Sequence, residues 1–149
     1  MTAQTEVPNY TIEVEQFCDH VKDAFQPDCI ILHGSQSRGS ATPTSDVDII
    51  IISDQLPQSF IERLYQLNRL REGGAPIEAL GYTRAEWEQM LEHLHLTALE
   101  AIHWGIPLWG ETLFEQWKHQ LESWQKLGLQ RGEFSWSVPP RLRLRLSQL

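Results

Sequence analysis

Cysteine, positive charge and long apolar runs are all scarce in this sequence. Only Cys18 and Cys29 are present. Two thiols are too few for a disulfide framework and lack metal-ligand spacing, so reduced core cysteines are expected. Unbroken apolar runs stop at four residues, as in Ile49–Ile52, where a membrane span needs about 20. Residues 1–8 have neither a basic nor an apolar leader segment, so secretion is not expected and a cytoplasmic location is. Internal repeats and low-complexity tracts are absent. Twelve Lys and Arg stand against 20 Asp and Glu, a net charge of −8, so non-specific nucleic-acid binding, which needs a cationic face, is not expected. The charge is also uneven: residues 129–149 carry four Arg and one Glu, leaving −11 on residues 1–128.

The 149 residues, 41% of them hydrophobic, are one domain's worth with enough apolar surface for a core. A single domain over 1–149 is expected, with a core at 10–82, a helical extension at 83–128 and a basic tail at 129–149. Ile12, Val14, Phe17, Val21 and Phe25 recur at helical spacing, and Pro27 ends that helix. Cys29–His33 reads as a short buried strand, Gly34–Thr44 as a loop, and Asp46–Ser53, β-branched and apolar on both faces, as a central strand. Ser59-x-x-Glu62 is a capping box opening a helix through Arg71, closed by Gly73-Gly74. A third strand follows at Pro76–Tyr82. Thr83-x-x-Glu86 is a second capping box, with Tyr82 and Trp87 as its hydrophobic staple. One helix then runs into His103-Trp104, where Gly105 and Pro107 stop it, and a last helix spans about Thr112 to Leu127 with Leu113, Trp117, Leu121 and Trp124 inward. Only helices are expected after Tyr82.

The chemistry lies in His33-Gly-Ser-Gln-Ser-Arg-Gly-Ser-Ala-Thr-Pro-Thr-Ser-Asp-Val-Asp48. Alternate strand residues share a face, so Asp46 and Asp48 project together with Cα atoms about 6.6 Å apart. Two adjacent carboxylates repel, and cations relieve that repulsion. Hard oxygen ligands suit Mg²⁺, which keeps waters and takes further ligands from substrate phosphates; two ions about 3.5–4 Å apart form the clamp for in-line displacement at phosphorus. Gly34 lets the backbone approach an anion, and the Ser35 hydroxyl with nearby N–H groups can hold phosphate oxygens. Arg38, one helical turn on, would add charge to the same phosphates. Ser45, at the return to the carboxylate strand, is placed with Gly34, Ser35 and Arg38 in the nucleotide-binding set. An isolated Asp-x-Asp is a common pair of solvated acids. Strand, Gly-Ser, ten residues, Asp-x-Asp, apolar strand is a far narrower pattern.

The segment Gly34-Ser35-x10-Asp46-x-Asp48 resembles the signature of the DNA polymerase β-like nucleotidyltransferase superfamily, and most of all the minimal nucleotidyltransferases. The resemblance implies an α+β fold, a small mixed β-sheet with helices packed on it, followed by a short helical C-terminal region. It implies that Gly34 and Ser35 hold a triphosphate, while Asp46 and Asp48 bind Mg²⁺, two ions in all. A third carboxylate on a following strand completes the metal site and helps deprotonate the acceptor hydroxyl. By position that is Glu78, the acid of the third strand, where many members have Asp. Glu78 either turns to the site or points into the core. An unpaired carboxylate among Ile77, Ala79 and Leu80 would be costly to bury.

The activity so implied is transfer of NMP, AMP by expectation, from ATP or another NTP to a hydroxyl. The acceptor is expected on a partner protein, because minimal nucleotidyltransferases often pair with a HEPN-type toxin in toxin–antitoxin modules. A homo-oligomer is the other partner expectation. Two alternatives stay open: a non-catalytic antitoxin that binds its partner by occlusion, and transfer to a small molecule such as an aminoglycoside. The second fits poorly, because those enzymes carry a substantial acceptor domain that the 67 residues after Tyr82 hardly supply.

His93, His95 and His103 are better read as surface or capping residues than as a metal site, since 93 and 95 face different sides of a helix. Trp87, Trp117 and Trp124 are expected in the core. Trp104, Trp109 and Trp136 are either packed or at an interface. The tail Arg141-Leu-Arg-Leu-Arg-Leu146 alternates as a strand would, and pairing, partner binding or mobility are all open.

Overall fold

Ile49, Ile50, Ile51 and Ile52 are all fully buried, because the strand that carries them is covered on both faces. Burying each contributes about 1.5–3 kcal/mol relative to exposure. The computed structural model describes residues 10–34, 39, 41, 45–132, 135–140 and 142. Helix α1 (Thr11–Phe25) leads into β1 (Cys29–His33), which runs antiparallel to β2 (Val47–Ile52) with Ile31 opposite Ile50 and His33 opposite Asp48. Helix α2 (Phe60–Asn68) then carries the chain to β3 (Ile77–Tyr82), parallel to β2 with Asp48 opposite Glu78. A parallel neighbour needs such a crossover. After α3 (Arg84–Glu92) and α4 (Leu96–Trp104), strand β4 (Ile106–Trp109) joins the far side of β1, giving the sheet order β3-β2-β1-β4. Helix α5 (Glu111–Lys126) and a small ribbon, β5 (Gln130–Arg131) with β6 (Trp136–Ser137), follow. This is the expected α+β architecture, a mixed sheet with helices on it.

Strand alternation sorts the core into two layers. Ile30, Val47, Ile49, Ile51, Ile77 and Ala79 pack on Phe17, Val21, Phe25 and Leu67 of α1 and α2. Cys29, Ile31, Ile50 and Ile52 pack on Trp87, Leu99, Ile102, Phe114, Trp117, Leu121 and Trp124 of α3–α5. Ile12, expected on the α1 core stripe, is instead 69% exposed. It lies about 140° round the helix from Phe17, off the buried face.

Three local differences from the sequence expectation have physical causes. The helix expected from Thr83 to Trp104 is two helices. Its first half ends in a Schellman motif, with the Leu94 N–H on the Leu91 carbonyl (3.0 Å), the His95 N–H on the Met90 carbonyl (2.8 Å) and Leu94 at φ 54°. Glycine normally takes that left-handed position; Leu94 packs against the core there, which offsets the roughly 1–2 kcal/mol cost of the conformation. Second, residues 83–128 are not helical throughout, because Ile106–Trp109 is a strand. A proline fits it because β4 lies at the sheet edge and needs ladder bonds on one side only. The Trp109 indole ties it down, donating to the Pro27 carbonyl (3.1 Å) beneath the Lys22 ammonium (4.6 Å). Third, α2 ends at Asn68, not Arg71.

The Thr83 capping box forms in full, and Tyr82 meets Trp87 with ring centroids 5.8 Å apart. At Ser59 only one half forms, a long 3.4 Å bond from the Glu62 N–H. Arg63, 4% exposed, donates to Pro57, Gln58 and Gly81 carbonyls and pairs with Glu86 at 2.7 Å. Near the C-terminus Leu142 is buried and its N–H donates to the Pro139 carbonyl (3.0 Å); Arg141 and residues 143–149, most of the alternating Arg/Leu tail, lie outside the described residues. Among the described residues no helix is long and apolar enough to cross a membrane.

Candidate active site

The alternation that sends Ile31 and Ile50 toward α3–α5 sends His33, Asp48 and Glu78 to the same face at the end of the sheet. Asp48 stands between the other two, opposite His33 on one side and Glu78 on the other. β2 begins at Val47, one residue later than expected, and its N–H is already tied to the Pro76 carbonyl of the β3 approach (2.8 Å). Asp46 is therefore held at the strand entry, exposed, and Ser45 is half-buried just before it. Glu78 is exposed and beside the aspartates, so it does not point into the core.

Glu78 also registers the local field. Its carboxyl is pushed above the ordinary value first by the charge of Asp46, then by partial burial, then by the charge of Asp48 and a hydrogen bond with it. Arg71 opposes this. Its guanidinium is anchored by a 2.8 Å bond from Nη1 to the Ile77 carbonyl, one peptide from Glu78.

Gly34 closes the other flank. It has φ +75°, and a Cβ built there would collide with Oδ2 of Asp48 and lie 3.2 Å from its Cγ. The backbone leaving β1 thus passes against the Asp48 carboxylate, an approach that needs glycine both for space and for conformation. Ser35 and Arg38 lie outside the described residues. Across the sheet the order is Gly34, Asp48, Glu78, and then Arg71 beyond the β3 edge.

A depression of about 530 Å³ opens at this edge, lined by His33, Asp48 and Glu78 together with Leu64, Asn68 and Arg71. A larger one, about 720 Å³, runs along Glu111, Glu115 and His119. It is the outer surface of one helix without a facing wall, so we place the site at the carboxylates.

A divalent cation suits this donor set. Three carboxylates crowd together, and one is already protonated more readily than normal because the others repel its charge. Among the described residues no three acidic, histidine or cysteine side chains are closed round one point as finished metal ligands.

The other candidates are spent elsewhere. His93 Nδ1 bonds the Gln89 carbonyl (2.8 Å), and His95 opens α4. His103 sits edge-on to Trp104 and Trp136 (4.9 and 5.4 Å), where burial lowers its pKa. Trp87, Trp117 and Trp124 are buried, while Trp104 and Trp109 are exposed. Arg71 and Leu64 gave no sequence signal of a site: an arginine near a helix end reads as a cation for the helix dipole, and only the fold brings it to Glu78.

Known proteins share this fold. A solved toxin–antitoxin with AMP-PNP has a similar fold, at 19% identity over 76% of this chain and 87% of the other, with a TM-score of 0.52. A mutant toxin–antitoxin MntA-HpeT matches at 17% identity over 76% and 87%, TM-score 0.50. A proposed nucleotidyltransferase from Sulfolobus solfataricus is 18% identical over 58% and 85%, TM-score 0.42. No curated protein matches the sequence. A family profile for the nucleotidyltransferase domain matches residues 14–96, more than half the chain. That span contains β1, β2 and β3 with Gly34 and all three carboxylates, and by it the chain belongs to the nucleotidyltransferase domain family and is a transferase.

Proposed function

We propose that the protein transfers NMP, specifically AMP from ATP, to a hydroxyl on a HEPN-type partner protein, as the antitoxin of a cytoplasmic toxin–antitoxin pair. The observation that carries the chemistry is the alignment of Asp48 with Glu78 across β2 and β3, beside Asp46 and with Gly34 against the Asp48 carboxylate. In this reading Asp46, Asp48 and Glu78 hold two Mg²⁺. Gly34, Ser35, Arg38 and Ser45 hold the triphosphate. A bound Mg²⁺ pair supplies neutralisation of the charge that builds on the phosphoryl oxygens and on the leaving pyrophosphate. The acceptor oxygen bonds to the α-phosphorus as the bridge to the β-phosphorus breaks and pyrophosphate departs. The hydroxyl proton passes to a carboxylate oxygen of Glu78.

The partner assignment is supported by two fold neighbours that are toxin–antitoxin structures, one of them with AMP-PNP. Calorimetric titration with AMP-PNP tests the site. Binding is expected with Mg²⁺ and not with EDTA, and is expected to be lost in Asp46→Asn/Asp48→Asn. Equal binding by that double variant would overturn the assignment of the metal and nucleotide to these residues.

A further inference from the structure

In-line displacement at phosphorus requires the attacking oxygen to enter opposite the leaving group. Gly34, against which the phosphate chain is placed, lies on the β1 side of Asp48, whereas Glu78 lies on the β3 side. If pyrophosphate leaves over β1, the acceptor enters over the free edge of β3. That edge is where the depression lined by Leu64, Asn68 and Arg71 opens beside Glu78.

The chemistry of the edge says what it would accept. Arg71 spends one N–H on the Ile77 carbonyl and is in no ion pair among the described residues. A guanidinium has five N–H donors in a planar fork that matches a carboxylate. The anchored group therefore presents donors beside the place where the acceptor hydroxyl must sit. The helix that walls the depression is unusually apolar outside: Phe60 is 42%, Ile61 77% and Tyr65 60% exposed. Ile61 and Tyr65 recur at helical spacing with Asn68, which lines the depression, so exposed apolar side chains and the depression share one face of α2. Arg69 stacks over the Tyr65 ring (5.7 Å) at its end. Exposed apolar side chains beside anchored donors suit a segment of a protein better than a small polar sugar.

We propose that the free edge of β3 and the outer face of α2 form the acceptor site, which takes a hydroxyl-bearing segment of a partner protein with a carboxylate next to the hydroxyl, bound by Arg71. This rests on the nucleotidyl-transfer reading above and adds to it the side of entry and the chemical class of the acceptor. Arg71 is a specificity residue here: it holds the segment while Glu78 takes the hydroxyl proton.

The test uses the full chain, α-labelled ATP, Mg²⁺ and synthetic hydroxyl peptides that differ only in carrying Asp, Asn or Lys beside the Ser, Thr or Tyr. Wild type is expected to label the Asp peptides with a KM about tenfold or more below that of the Lys peptides, the size of a charge-assisted contact. Arg71→Ala should erase the preference by raising KM for the Asp peptides. Arg71→Glu should reverse it, favouring Lys. A reversal is beyond the reach of a variant that merely loosens β3. Equal labelling of all three peptides by wild type, labelling of none while AMP-PNP still binds with Mg²⁺, or an unchanged ranking in Arg71→Glu overturns the acceptor proposal alone. Failure of wild type to bind AMP-PNP with Mg²⁺ overturns the transfer reading beneath it as well.

Discussion

Substituting Gly34 by alanine separates the glycine's two roles at the site. Its φ of +75° costs an alanine about 1–2 kcal/mol, whatever the surroundings. The added Cβ also collides with Oδ2 of Asp48, so the carboxylate must turn away from its place beside Glu78. To regain ordinary contact the oxygen must move by roughly 1 Å, and a displacement of that size at a reacting centre costs about 100-fold in rate. Gly73 is the matched control. It has φ +79°, and a Cβ there would meet only the Glu13 side chain at 3.4 Å, an ordinary contact. Both alanine variants should therefore lose a similar 1–2 kcal/mol or so in urea unfolding. Only Gly34→Ala should lose nucleotide transfer, by about 100-fold. Equal activity in the two variants would refute the claim that the β1 exit positions the Asp48 carboxylate. A far larger stability loss at Gly34 would show that the backbone, and not Asp48, gives way.

Other expectations follow from the buried polar groups and thiols. Arg63→Ala leaves Glu86 and three carbonyls without their partner and should destabilise by about 3 kcal/mol in urea; a loss under 1 kcal/mol would mean that water replaces the guanidinium. Partial burial raises the Glu86 pKa, but the Thr83 N–H and hydroxyl and the Arg63 guanidinium outweigh it, so the net shift is downward. A depressed carboxylate stabilises above its unfolded pKa, 4.5, and that stability is lost as pH falls through the folded value. The urea midpoint should accordingly drop below pH 4.5, and drop less in Glu86→Gln. Burial pushes the Cys18 and Cys29 thiols up to about 11 and about 12, so neither should react with a disulfide reagent at pH 8 until urea is added. Fast labelling of the native protein would contradict their packing.

Much of the catalytic half of the fold is legible in the sequence because burial on both faces writes itself as unbroken Ile runs, and because strand alternation places Asp48 and Glu78 on one face. The Thr83 box is equally plain, since each of its bonds is made by residues three apart. β4 is hidden: Gly105-Ile106-Pro107 reads as a helix stop, and only the sheet-edge position makes a proline acceptable in a strand. The break at Leu94 is hidden because tertiary packing, not a glycine, supports the left-handed residue. Arg71 is invisible for a similar reason. Its placement beside Glu78 comes from a bond to the Ile77 carbonyl across the turn between α2 and β3, which no local pattern announces. Ser35 and Arg38, expected with the phosphates, lie outside the described residues.

The most direct measurement is label transfer from α-labelled ATP to the co-expressed product of the neighbouring gene, with Mg²⁺ or EDTA. The account predicts a labelled partner with wild type and Mg²⁺, and none with EDTA or with Asp46→Asn/Asp48→Asn. Undiminished labelling by the double variant, or a wild-type protein that neutralises its partner without transferring label, would contradict it.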